Sequence, residues 1–489
     1  MPTYDRLSAL DRSFLDMENR NTHMHVGAAL RFQAGRLAGS DGTVNVERIR
    51  DYVAGRLHEI PRYRQRIEWI PLERHPVWVD DERFDIDYHI RHVRLPAPGN
   101  DARLKRLCGR VMSQQLDRGK PLWEIWIVEG LEGGGFALLC KTHHCMIDGA
   151  SGMDLLQLLL SPVPVLEFAP AEPWEPRPRP GSATLVRDSI LRRSLLPVMF
   201  ANAAAWAMRE PSQALDQATE LAGGIMEAAL AGIDRASDTP LNHEIGPHRR
   251  IDWLRFDLAS VKRVKRRLGG TINDVVLAVV AGAMGAFLEH RGISLASRRD
   301  LDIRAFCPVS LRSATEHGTM GNRVSSMIAP LPVAEADPRR RLATVIAEVG
   351  HLKDAKQALG AQVLSSICDW TAPTLLSSTA RLAFRRHVSS LVVTNIPGPQ
   401  QPLYLLDARM TDSFPMVPLF THQGLGIALF SYDGGLYWGF NADLDLVPDL
   451  TTFVEAADRS FAELVKAAGP PATKRQAARP GQRRRSSVA

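Results

Sequence analysis

Cysteine is scarce in this 489-residue chain. Cys108, Cys140, Cys145, Cys307 and Cys368 are scattered, odd in number and without a CxxC pair. That pattern argues against a disulfide framework or a zinc ribbon and suits a reducing compartment. No GxSxG elbow is present, so the hydrolase type of serine nucleophile is missing. No pair of histidines sits at the i, i+4 spacing of an HExxH zinc helix. The longest apolar run, VVLAVVAGAMGAFL at 275–288, is shorter than the roughly 20 residues a membrane span needs. It is predicted to be a buried helix. The N-terminus, MPTYDRLSALDRSFL, is charged and lacks an apolar core, so no signal peptide is expected.

A charge bias is missing as well. The net charge is +6, but Lys474, Arg475, Arg479, Arg483, Arg484 and Arg485 all lie in one acid-free tail. Without those six the body carries 54 basic residues against 54 acidic ones. A neutral body gives no footprint for nucleic acid, and none is expected as a partner. The tail, 469–489, is predicted to be disordered. Apolar residues at 45% and charged ones at 23% are ordinary for a globular protein, and the length suggests two domains. A cytoplasmic protein is expected, at most peripheral on a membrane.

Residues 1–160 mix strand and helix. WEIWIV and FALLCKT are rich in β-formers and flank a Gly-rich turn, which predicts a hairpin. SGMDLLQLLL then starts a helix. Residues 161–245 read as a linker, Pro-rich at first and helical afterwards. Residues 246–468 form a second mixed domain. In it a basic helix, a Gly269-Gly270 break and a long apolar helix come first. HVSSLVVTNIPGP follows as a strand, and GLGIALFSYDGGLYWGFNAD as a hairpin about Asp433-Gly434.

The chemistry-bearing stretch is KTHHCMIDGASG at 141–152, where the predicted strand gives way to a helix. Three readings stand for His143, His144 and Asp148. As metal ligands they are poorly arranged, because adjacent strand residues point to opposite faces. As a proton-transfer site they are well suited. Neutral imidazole accepts a proton near pH 7, a nearby carboxylate can orient it, and Gly149 leaves room for approach. As structural residues they would be a strand end with Asp148 capping the next helix.

The surrounding segments carry a resemblance. PLWEIWIVEG followed by HHCMIDG is similar to the bacterial wax ester synthase/acyl-CoA:diacylglycerol acyltransferase family, within the wider HHxxxDG acyltransferase superfamily. LDRSFLDMENRNTHMHVGA, Asn273-Asp274 in TINDVVLA, PVSLR at 308–312 and TNIPGP at 394–399 extend it in order over nearly the whole chain. The resemblance implies an α/β fold of two chloramphenicol-acetyltransferase-like sandwich domains with the active site at their interface. It implies transfer of a fatty acyl group from acyl-CoA to diacylglycerol or a long-chain alcohol, with no cofactor, no metal and no covalent acyl-enzyme. His144 would be the general base, with His143 its neighbour and Gly149 keeping the loop tight. Asp148 would be structural, paired with an arginine such as Arg312. Pro121, Leu122, Trp123, Glu124, Asn395 and Gly398 would contact substrate.

Asn273 and Asp274 keep two readings: a capping box with Thr271, and support of an oxyanion at a helix N-terminus. The basic run Lys262, Arg263, Lys265, Arg266, Arg267 reads as a solvated helix face that could also attract CoA phosphates. His23 and His25 read as core or edge residues. Leu191, Leu195, Leu196, Val198, Met199, Phe200 and Trp206, beside Arg192 and Arg193, could lie at a membrane or lipid-droplet surface. A carrier-protein acyl donor and a non-catalytic lipid-surface protein remain as alternative readings.

Overall fold

The structure is a computed structural model, and it describes residues 3–39, 43–146, 154–194, 209, 236–298, 300–310, 324–358 and 389–470. The first half runs β1 (Asp5–Arg6), α1 (Ala9–Met17), β2 (His25–Phe32), α2 (Val46–Arg56), β3 (Gln65–Trp69), β4 (Pro76–Asp80), α3 (Ile86–His89), β5 (Ile90–Arg94), α4 (Asp101–Met112), β6 (Trp123–Glu129), β7 (Phe136–His143) and α5 (Asp154–Leu159). After α6 (Ser182–Ser194) the second half runs β8 (Arg249–Asp257), α7 (Leu258–Leu268), α8 (Ile272–His290), β9 (Ile303–Ser310), β10 (Val324–Leu331), α9 (Pro338–Ala358), β11 (Leu391–Pro397), β12 (Tyr404–Leu405), β13 (Ala408–Met416), β14 (Leu425–Tyr432), β15 (Gly435–Asp443) and α10 (Leu450–Ala468).

Two six-stranded sheets dominate, in the orders β12-β13-β2-β7-β6-β5 and β10-β9-β11-β14-β15-β8. Each has its own apolar core. The expected hairpins are both present: β6 pairs antiparallel with β7, and β14 with β15. Asp433 (φ 39°) and Gly434 (φ 78°) turn the second hairpin. Two consecutive positive φ values are what a tight β-hairpin turn requires. α8 ends its first turn in a capping box. The Thr271 hydroxyl accepts from Asp274 N at 3.2 Å, and the Asp274 carboxylate accepts from Thr271 N at 2.7 Å. By length and composition α8 could cross a membrane, but most of it is buried as the central helix of the second half.

Two features depart from a simple division at 160 and 245. First, β12 and β13 belong to the second half in sequence but extend the first sheet, with β13 antiparallel to β2. The exchange covers the edge of β2 that would otherwise present unpaired backbone groups. Second, the Pro-rich segment after residue 160 is extended but bound along the first half. Ser161 bridges to Tyr404, Val165 N donates to Leu406 O at 2.8 Å, the Arg64 guanidinium lies 4.9 Å from the Trp174 ring, and Arg177 holds Asp80 at 2.9 Å. Prolines forfeit backbone donors, so side chains and a few remaining N–H groups anchor the strap.

The halves also meet directly. Met24, Phe14 and Met17 pack with Val392, Phe420 and Phe306. Arg249, on β8, donates to Asn21 O, and its own backbone N donates to Ser113 Oγ at 2.8 Å. The segment around Met24 is therefore held between the two sheets.

Candidate active site

The two histidines lie at one junction, where β7 ends at His143 and a short 3₁₀ turn, His144–Met146, begins. Their main chains are pinned from both sides. His143 N donates to Leu122 O at 2.9 Å, and His144 N donates to Met24 O at 2.7 Å. The PLWE segment and the THMH segment thus hold the junction through backbone bonds that no side-chain substitution removes directly.

His143 is fully buried and stands opposite His25 across the β2–β7 ladder. Its Nδ1 accepts a hydrogen bond from Cys145 N at 3.1 Å. An accepting Nδ1 carries no proton, so in the neutral ring the proton sits on Nε2. That nitrogen faces Glu18 Oε2 at 3.6 Å, an electrostatic contact longer than a hydrogen bond. Glu18 itself is a buried carboxylate, its side chain 2% exposed. Arg118 grips Oε2 through Nη2 at 2.7 Å and Nε at 3.1 Å, and His25 Nε2 lies 3.3 Å from Oε1. Burial alone would raise the Glu18 carboxyl. The facing rings of His143 and His25 outweigh it and hold the group well below the usual carboxylate range. Burial pushes His25 down to about 3.

His144 is different. Its ring is partly exposed and stacks on Phe14, centroids 3.9 Å apart and planes 22° from parallel. Its Nδ1 is buried and has no hydrogen-bond partner among the described residues. Withdrawal from water, reinforced by His143, lowers the ring to about 4. A ring lowered in this way favours the neutral imidazole, the form that can accept a proton. Cys145 is no competitor: burial raises its thiol well above the ordinary value, so it is not a thiolate.

The other expected residues fall into three groups. Asn273 and Asn395 are brought together, Asn395 Nδ2 donating to Asn273 Oδ1 at 2.7 Å, which ties the start of α8 to the end of β11. Gly398 does permit close approach, since a side chain there would run into the Phe430 ring and the Ser431 carbonyl. Asp274 is buried and committed to its capping box. Pro121, Leu122, Trp123 and Glu124 lie in the core of the first half. Leu122 and Trp123 are fully buried, Trp123 Nε1 donates to Tyr63 O at 2.8 Å, and Glu124 accepts from Trp126 Nε1 and pairs with Arg91. PLWE is core that positions the histidine junction, because its strand alternates into a sheet covered on both faces. Asp148, Gly149 and Arg312 lie outside the described residues, as do Leu195, Leu196, Val198, Met199, Phe200 and Trp206.

His23 and His25 are buried, as the sequence suggested. The basic run on α7 makes no ion pair among the described residues, and Lys262, Lys265, Arg266 and Arg267 are exposed. No three His, Cys, Asp or Glu side chains gather as a metal site among the described residues. Sequence reasoning missed Phe14, Glu18 and Arg118. The signal was available: Phe14 and Glu18 stand four apart at the end of an amphipathic helix, so one face delivers both.

The comparisons with known proteins fit this arrangement. A family model for the wax ester synthase/diacylglycerol acyltransferase catalytic domain matches residues 7–276, and one for the C-terminal domain of the same family matches 320–465. The Mycobacterium tuberculosis protein tgs1, named a probable diacylglycerol O-acyltransferase, is 32% identical over 94% of this chain and 96% of its own. The tgs2 protein of the same organism is 32% identical over 95% and 100%. Among solved structures, the wax ester synthase/diacylglycerol acyltransferase of Marinobacter aquaeolei VT8 superposes with a TM-score of 0.67 at 24% identity, covering 95% of this chain and 100% of that one. A condensation domain of the calcium-dependent antibiotic synthetase shares the fold at a TM-score of 0.54 and 15% identity, covering 96% and 97%. The paired α/β sheets, the histidine junction and these matches together place the chain in the wax ester synthase/diacylglycerol acyltransferase family, and it is an acyltransferase.

Proposed function

We propose that the protein moves a long-chain fatty acyl group from acyl-CoA to diacylglycerol, or to a long-chain alcohol, with His144 as general base. The observation that carries this is the His144 ring, partly exposed and stacked on Phe14, which itself packs where the two halves meet. In this reading His144 Nε2 takes the proton of the acceptor hydroxyl as its oxygen bonds to the thioester carbonyl carbon. The tetrahedral oxyanion collapses, the C–S bond breaks, and the imidazolium returns the proton to the CoA thiolate. A thioester is already activated, so no acyl-enzyme and no cofactor are called for.

The acceptor's oiliness suggests work at the cytoplasmic face of a membrane or on a lipid droplet. Exposed Ile190 and Leu191 on α6 support this. Flotation with triolein emulsions stabilised by anionic phospholipid, comparing wild type with Ile190→Asp/Leu191→Asp, tests it. Equal recovery of both proteins would remove α6 from the reading.

The catalytic test is CoA release from palmitoyl-CoA with dioleoylglycerol or hexadecanol as acceptor. Acceptor-dependent release that falls by about 10²–10⁴-fold in a folded His144→Ala variant is expected. Unchanged release in the variant overturns His144 as base. No release with either acceptor overturns the acyl-CoA reading in favour of a carrier-bound donor.

A further inference from the structure

Behind the two histidines lies a charged group that the acyl-transfer chemistry does not itself call for. Glu18 ends α1, its backbone N–H donating to Phe14 O at 3.1 Å, so it is fixed relative to the ring that stacks on His144. Its carboxylate is removed from water, and among the described residues it faces only cations and imidazoles. Arg118 and His143 meet Oε2 and His25 meets Oε1, while Lys141 and His23 act on it from further away. A buried carboxylate is costly unless paired, and Arg118 supplies the pairing.

We infer that Glu18, held by Arg118, is a positioning residue for the base: it selects the Nε2–H form of His143, so that His143 Nδ1 can accept from Cys145 N and fix the turn carrying His144. The inference rests on the reading of His144 as general base. Its physical content is a single proton. Were His143 to carry that proton on Nδ1, two N–H groups would face each other at the Cys145 amide, and the 3₁₀ turn would lose its anchor. A carboxylate opposite Nε2 makes the other tautomer the stable one. Arg118 pairs with the carboxylate through two hydrogen bonds, which favours its ionised form, so it need not take the proton itself. α1 therefore serves both histidines from one face, Phe14 supporting the ring of His144 and Glu18 the tautomer of His143.

The test uses the full-length protein. Glu18→Gln keeps the shape, but its amide can offer His143 either an oxygen or an N–H. We expect kcat to fall about 10- to 100-fold, with KM for both substrates changed less than about twofold and the melting curve preserved. Histidine ¹⁵N spectra should show His143 losing its single Nε2–H form. Glu18→Asp, which retains a carboxylate, should recover part of kcat. Arg118→Gln should move the acid limb of the kcat profile to higher pH, because a buried carboxylate without its guanidinium protonates more readily. Wild-type kcat in Glu18→Gln, a loss confined to KM, or a loss that merely follows melting would each overturn the inference. So would a changed His143 tautomer with unchanged kcat. If Glu18→Gln does not fold, the Arg118→Gln profile decides alone, and a profile superimposable on wild type overturns the inference. An active His144→Ala would instead strike the base assignment, whatever the tautomer of His143.

Discussion

The two halves of this acyltransferase share a sheet-and-helix plan and an apolar core each, and differ in what they gather beside their central strands. Next to the junction of β2 and β7 the first half encloses Glu18, His23, His25, Lys141 and His143. Lys141 is fully buried, and its ammonium donates to Val111 O and Gln114 O at the end of α4. The corresponding layer of the second half, along β14, β15 and α8, is built from Ile427, Leu429, Trp438, Phe440, Val276 and Val279. Buried acids of the second half serve structure: Asp274 is spent on a helix cap, and Asp443 at the end of β15 pairs with Arg249. The difference shows how one architecture separates two tasks. Titratable groups withdrawn from water gather beside the histidine junction, whereas the matching layer of the second half is apolar.

Acidification should give the largest contrast. His25 is lowered to about 3, and His75, His89 and His144 to about 4, all chiefly by burial and all in the first half. A depressed imidazole favours the neutral folded form. Its stabilisation is whole above the ordinary value of 6.5 and is lost as pH falls towards the folded values. Hydrogen exchange compared at pH 7 and 5, corrected for intrinsic rates, should show β2 and β7 opening well before β14 and β15. Simultaneous opening would erase the contrast.

Gly398→Ala comes next, because the added methyl group has no room beside Phe430 and Ser431. A loss of about 1–3 kcal/mol is expected by chemical denaturation. Asp274→Ala should cost about 1–2 kcal/mol through the lost cap. If kcat in that variant also falls well below wild type at a temperature where the protein stays folded, the start of α8 has a catalytic duty as well. If kcat holds, the cap is its whole role. Phe14→Leu should be the mildest, removing about 0.5–1.5 kcal/mol of ring contact and lowering kcat a few-fold through a less fixed His144. An unchanged rate would show that backbone bonds suffice to hold the base.

Much of this was legible in the chain before any coordinates. Runs of β-forming residues about Gly-rich turns marked β6, β7, β14 and β15, and Asp433-Gly434 marked a turn that positive φ values satisfy. The spacing of Thr271 and Asp274 marked a capping box, a bond between residues three apart. The histidine pair stood at the strand-to-helix junction where it was expected. The burial of PLWE in the first core was not announced, because a strand buried on both faces looks from sequence like any apolar segment. Local devices were readable because all their parts lie within a few residues.

The rest needed the folded chain. That β13 crosses to pair with β2 follows from the packing of two sheets, and no pattern within 408–416 announces it. That Glu18 faces His143 depends on α1 docking against the end of β7, some 125 residues later in sequence. That Asn395 meets Asn273 depends on β11 ending beside the start of α8. The sequence by itself determined the hairpins and the capped helix, since each rests on residue types and hydrogen bonds a few positions apart, and it supplied the histidine pair in which the base is proposed. Only the tertiary structure decided which carboxylate and which aromatic ring surround that base, because burial and charge pairing are properties of surfaces brought together, not of residues in a row.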